Sequence, residues 1–243
     1  MNELFSMVNK YVNPSRGEWR RLTERPAKDD PAVLASVEAT LEDVRKRGDD
    51  AVLDLEARFD GVAFPSPSDL KVSDEEIAEA AEAVPDELKK AIAQAYSNIR
   101  RFHEAQMPGV VRVETSPGVV CVQKAVPVRR VGLYVPGGSA PLFSSVLMLA
   151  VPARVAGCGE IVLCTPPDKK GKANPAIVYT ASFCGVKDIF KIGGAQAIAA
   201  MAYGTRTLAR CDKIYGPGNR YVMKAKQLVG LTEAATDMPA RPS

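Results

Sequence analysis

Three times in the second half of this chain an apolar run ends in a glycine turn and passes into another apolar run. The three stretches are VGLYVPGGSAPLFSSVLML from Val131, DIFKIGGAQAIAAMA from Asp188 and DKIYGPGNRYVMKAK from Asp212. Each reads as a strand, a tight turn and a helix. Strand candidates at 131 to 135, 160 to 164, 187 to 192 and 212 to 215 alternate with helix candidates at 143 to 157, 174 to 184, 195 to 203 and 219 to 229. Strict alternation implies right-handed crossovers and an open parallel sheet. The sequence therefore predicts an α/β chain with a Rossmann-like parallel sheet over about 130 to 235, and it places all three glycine turns along one edge.

Upstream the pattern is different. Residues 1 to 30 read as a polar arm carrying Trp19. From Pro31, the spacing of Val33, Leu34, Val37, Leu41 and Val44 lays one apolar stripe along a helix that ends at Lys46-Arg47-Gly48. A second helix carries Ala51, Val52, Leu55 and Phe59 to Gly61, and prolines 65 and 67 mark a loop. Ser73 and Glu76 form a capping box for a short helix interrupted at Pro85. Asp86 is expected to cap a longer helix reaching about Gln106, and 110 to 128 reads as a hairpin broken at Ser116-Pro117-Gly118. So many apolar helix faces with one hairpin suggest a mostly helical, incomplete first α/β domain over 31 to 129, with a boundary near 129. On this reading 130 to 235 can fold alone, the isolated upstream part is molten, and 236 to 243 is a connection back towards the first domain.

A net charge of +3 with scattered basic residues gives no footprint for nucleic acid or a membrane surface. No apolar run is long enough for a span, and the first residues lack the pattern of a secretory signal. Five cysteines without a C-x-x-C or partnering histidines read as reduced, mostly core residues of a cytoplasmic protein. The chain contains a single histidine, His103, near the end of an amphipathic helix. No catalytic zinc motif and no nucleophile elbow is present, so no catalytic or metal-binding residue is proposed.

Ligands of open parallel sheets sit beyond the carboxyl ends of the strands, where helix N-termini present unpaired N–H groups. A phosphate or planar cofactor could rest on Gly137-Gly138, Gly193-Gly194 and Gly216-Pro217-Gly218, beside Tyr134, Ser139, Gln196 and Asn219. A structural reading of the same residues stands next to this one. Glycines at such turns serve tight packing, and Ser139 or Asn219 would serve as N-caps. The dinucleotide fingerprint G-x-G-x-x-G is absent, so the residues alone indicate a nucleotide-like ligand and go no further.

The residues RVGLYVPGGSAPLFSSVLMLAVPARVAGCGEIVLCTPP, KIGGAQAIAAMAYGT, DKIYGPGNRYVMKAK and DMPARPS resemble the middle of histidinol dehydrogenases. VRKRGDDAVLDLEARFDGV and NIRRFHEAQ resemble that family's N-terminal helices, and the likeness runs from about residue 30 to the last. The resemblance implies oxidation of L-histidinol to L-histidine through an enzyme-held aldehyde, with two hydride transfers to NAD. It further implies a zinc-dependent homodimer of two similar α/β domains. The family's NAD-contacting positions fall on Tyr134, Gln196 and Asn219, and a substrate-contacting serine falls on Ser243. Arg241 departs from the family's pattern, which has glycine before Pro242. The resemblance puts the zinc ligands and the glutamate and histidine of proton transfer beyond residue 243, so an N-terminal portion, inactive by itself, is expected. The alternative is a non-catalytic nucleotide-binding α/β fragment.

Overall fold

The computed structural model describes residues 10–23, 30–137 and 142–238. After the short helix α1 (Arg16–Thr23), α2 (Pro31–Arg47) and α3 (Asp49–Leu55) turn at Gly48. Asp30 caps α2 by accepting from the Ala32 N–H at 3.0 Å; of its apolar stripe, Val33, Val37, Leu41 and Val44 are buried and Leu34 is half-buried. Past Leu55 the helix widens into a π-helical turn, Glu56–Asp60, which ends at Gly61 in the left-handed region (φ 72°).

The capping box at Ser73 and Glu76 forms as expected and opens α4 (Asp74–Ala83). α5 (Asp86–Ala105) follows, and here one expectation is corrected: Pro85, extended at φ −60° and ψ 146°, holds the cap position, and Asp86 lies inside the first turn. Then come the hairpin strands β1 (Val111–Ser116) and β2 (Val119–Gln123), exposed along their whole length.

The alternating region follows as β3 (Arg130–Tyr134), α6 (Phe143–Val155), β4 (Glu160–Thr165), α7 (Pro175–Phe183), β5 (Asp188–Lys191), α8 (Gly194–Tyr203), β6 (Lys213–Tyr215), α9 (Arg220–Thr232) and β7 (Ala235–Thr236). The strands lie in the order β5-β4-β3-β6-β7, every neighbouring pair parallel. The open parallel sheet is therefore present. The sequence signalled four of its strands but not β7, a two-residue strand with no pattern to read.

A parallel sheet buries both faces, and successive side chains of these strands point to opposite sides. Tyr134, Val162 and Cys164 join α2, α3, α8 and α9 in one apolar cluster. Val131, Leu133, Ile161 and Leu163 join α4, α5, α6 and α7 in the other. Both clusters draw residues from either side of position 129. The upstream helices α2 to α5 thus pack against the downstream half of the same chain.

Four of the five cysteines, 158, 164, 184 and 211, are buried and all five are free. Among the described residues no helix is long and apolar enough to cross a membrane.

Ile92, 1% exposed, ties α5 into the second cluster. Ile92→Ala is expected to cost about 2–5 kcal/mol in urea denaturation, and unfolding is expected to remain one transition because both clusters join residues from either side of position 129. A second transition that persists in a 130–235 fragment would restore an independent unit there.

Candidate functional site

Tyr134 ends β3, Gln196 sits in the first turn of α8, and Asn219 precedes α9. All three line one cavity of about 780 Å³, together with Gly137 of the first glycine turn. That volume lies in the range of small-molecule and cofactor sites. Ser139, Ser243 and Arg241 lie outside the described residues.

The polar atoms around the second glycine turn are engaged from beneath. The Tyr134 hydroxyl accepts from the Gly194 N–H at 3.1 Å. Glu56 Oε1 accepts from the Gly193 N–H at 3.0 Å and from Gln196 Nε2 at 2.9 Å. Asp60 Oδ2 lies 3.3 Å from the same Gln196 nitrogen. Lys169 Nζ donates to the Asp60 carbonyl at 2.7 Å, fastening the π-helical turn to the loop after β4. A Cβ on Gly193 would stand 2.8 Å from both Asp60 Oδ2 and Pro166, so this glycine is required by the protein's own packing.

Glu56 is fully buried. Burial, reinforced by the charge of Asp60, pushes its carboxyl up to about 8, against the lowering effect of the bonds from Gln196 and Gly193. Asp60 is also raised, by burial first. Burial holds the Tyr134 phenol well above its usual range, so it is a protonated hydrogen-bonding group at neutral pH.

The sequence reading missed Glu56 and Asp60. One signal was available: Glu56 lies one helical turn after Val52, an acid on a stripe of buried apolar residues. Its partners are 137 and 140 residues away, which no local pattern reveals.

The third turn is also locked. Gly216, at φ 130°, donates its N–H to Asp237 Oδ2 at 2.9 Å and accepts from the buried Lys226 Nζ at 2.7 Å. Lys226 and Asp237 form an ion pair. Asn219 Oδ1 accepts from the N–H groups of Tyr221 at 3.0 Å and Val222 at 3.1 Å, so it does cap α9. That capping leaves its amide nitrogen for a ligand. Glu76 of the Ser73 capping box also pairs with the buried Lys191 at 2.9 Å. Among the described residues no group of three or more His, Cys, Asp or Glu side chains could hold a metal ion.

Comparison with known proteins follows this geometry. The family model for histidinol dehydrogenase matches residues 23–243. A histidinol dehydrogenase of Bacteroides thetaiotaomicron is 54% identical over 237 residues, 98% of this chain and 55% of that protein. One from Xanthomonas axonopodis pv. citri is 56% identical over 209 residues, 86% of this chain and 48% of that protein. The crystal structure of histidinol dehydrogenase from Elizabethkingia anophelis superposes with a TM-score of 0.89 at 46% identity, covering 96% of this chain and 53% of that one. The chain spans about half the length of the curated relatives it matches.

Glu56 ionises near 4.5 when unfolded and near 8 when folded. A raised carboxyl contributes stability that is fully present below the unfolded value and is lost as pH rises through the folded value. Glu56→Gln removes this titration. Between pH 5 and 8 the variant is expected to lose less stability than the wild type, by on the order of a few kcal/mol, in urea denaturation at a series of pH values. Parallel declines would contradict the assignment.

Proposed function

The chain belongs to the histidinol dehydrogenase family, and we propose that it supplies the NAD site for that family's oxidation of L-histidinol to L-histidine. The observation that supports this reading is the single cavity shared by Tyr134, Gln196 and Asn219, the positions the family resemblance assigns to NAD. The residues suit such a ligand. A phenol that accepts from Gly194 still has its own proton to donate, and an asparagine whose oxygen caps a helix still has its amide nitrogen. Asp60, at the cavity wall, adds an acceptor.

Bound NAD would supply the hydride acceptor. The chain's own residues would hold and orient it, with the Gln196 and Asn219 amides fixed by the bonds described above. Zinc is a second cofactor of the family's chemistry, and the described residues do not offer a set that fits it. We assign zinc, the proton transfers and a contact of Ser243 with substrate to the family's full-length arrangement, a cytoplasmic homodimer. For these 243 residues taken alone, the reading is cofactor binding without turnover, since Glu56 and Asp60 face Gln196 and the glycine turn and serve as scaffold.

Calorimetry with NAD⁺ tests this, because the two roles of Asn219 separate by substitution. Asn219→Asp keeps the capping oxygen and removes the amide donor, so stability is expected to hold while affinity falls about tenfold, the equivalent of one hydrogen bond of about 1.4 kcal/mol. Asn219→Ala is expected to lose both, with about 1 kcal/mol of stability from the cap. No heat with the wild type, or unchanged affinity in Asn219→Asp, would overturn the reading. Reduction of NAD⁺ by the 243 residues with histidinol and zinc would overturn the assignment of turnover to residues elsewhere.

A further inference from the structure

Below the cavity, one group decides how the second glycine turn meets a ligand. We propose that Glu56 is a positioning residue, holding the Gln196 carboxamide with its nitrogen inward and its oxygen towards the cavity, so that the ligand group meeting Gln196 is a hydrogen-bond donor. The proposal rests on the NAD reading of the cavity and adds to it the chemistry of one contact.

The geometry leaves little choice of orientation. Gln196 is 1% exposed, and its inner end faces two acids, Glu56 Oε1 at 2.9 Å and Asp60 Oδ2 at 3.3 Å. Only the NH₂ end of an amide can meet two carboxyl oxygens. Glu56 Oε1 also takes the Gly193 N–H, so it is an acceptor in both contacts. Its other oxygen, Oε2, is buried without a hydrogen-bond partner among the described residues, where an ionised oxygen would be unsolvated. A neutral acid that accepts through Oε1 in both contacts fits this setting and holds the Gln196 nitrogen inward.

A consequence follows for the ligand. The N–H groups of Gly193 and Gly194, which an anion would otherwise use at this helix start, are taken by Glu56 and Tyr134. With Asp60 beside them, this end of the cavity disfavours a pyrophosphate and favours a ribose hydroxyl or a carboxamide N–H.

The test reads the Gln196 side-chain amide by ¹⁵N NMR, without ligand and then with NAD⁺. In the wild type the NH₂ signals are expected to be dispersed and slow to exchange. Glu56→Gln, which keeps an accepting oxygen, is expected to preserve them, and Glu56→Ala to bring them to solvent-like values. NAD⁺ affinity is expected to fall at least tenfold in Glu56→Ala and to recover to within about threefold in Glu56→Gln, a rescue that a loss of packing alone would not give. Unchanged Gln196 signals in Glu56→Ala would overturn the proposal.

If Glu56→Ala does not fold, the wild type decides by itself. The groups facing Glu56 are Asp60 on its own turn, Tyr134 of β3, Cys164 of β4 and, through Asp60, Lys169 of the following loop. Burial puts Tyr134 and Cys164 above their usual ranges. A shift of the Gln196 signals between pH 7 and 9 therefore reports the Glu56–Asp60 pair, and Glu56→Gln is expected to abolish it. A flat wild-type profile would overturn the proposal. If the wild type shows this amide behaviour and no NAD⁺ binding, the cofactor reading fails and the positioning role stands.

Discussion

A parallel sheet whose strands are apolar on both faces must be covered on both, and in this chain the cover comes from two directions of sequence. The helices between the strands, α6 to α9, supply an inner layer, and α2 to α5 from the first half complete it. This dependence carries α3 across the sheet edge. The π-helical turn at its end brings Glu56 under the Gly193 turn, and a shift of one residue would place the acid elsewhere. The geometry of this edge is thus a by-product of how the sheet is buried.

The second and third glycine turns at that edge are each met by an acid from outside their own strand-turn-helix units. Glu56 takes the second turn, and Asp237 with Lys226 takes the third. Buried polar groups need such partners, because one left without hydrogen bonds costs on the order of a few kcal/mol. Here backbone N–H and C=O groups provide them. The same bonds keep the turns from adapting to a ligand, so the cavity between Tyr134, Gln196 and Asn219 is preformed.

Much of this was legible in the sequence because it is local. Strand and helix alternation, the stripe of α2, the Ser73 capping box and the buried cysteines each follow from spacing or residue type, and all appear. Asn219 bears out its structural reading, as a cap that accepts through its side-chain oxygen. What was not legible is long-range. β7 is too short to carry a period, and the pairing of Glu56 with Gly193 and Gln196 depends on the whole sheet being assembled. The packing of the upstream helices was hidden for the same reason: their apolar faces were visible, but the surface that receives them is formed by residues a hundred positions later.

The claim at the centre of the account is that one edge of the sheet, between the second and third glycine turns, receives NAD. Hydrogen–deuterium exchange with and without saturating NAD⁺ tests it directly across the whole chain. The account predicts slower exchange in peptides covering Gly194–Tyr203 and Lys213–Val222, and no change in the exposed hairpin Val111–Gln123. Protection confined to the hairpin, or none at either turn at saturation, would contradict it.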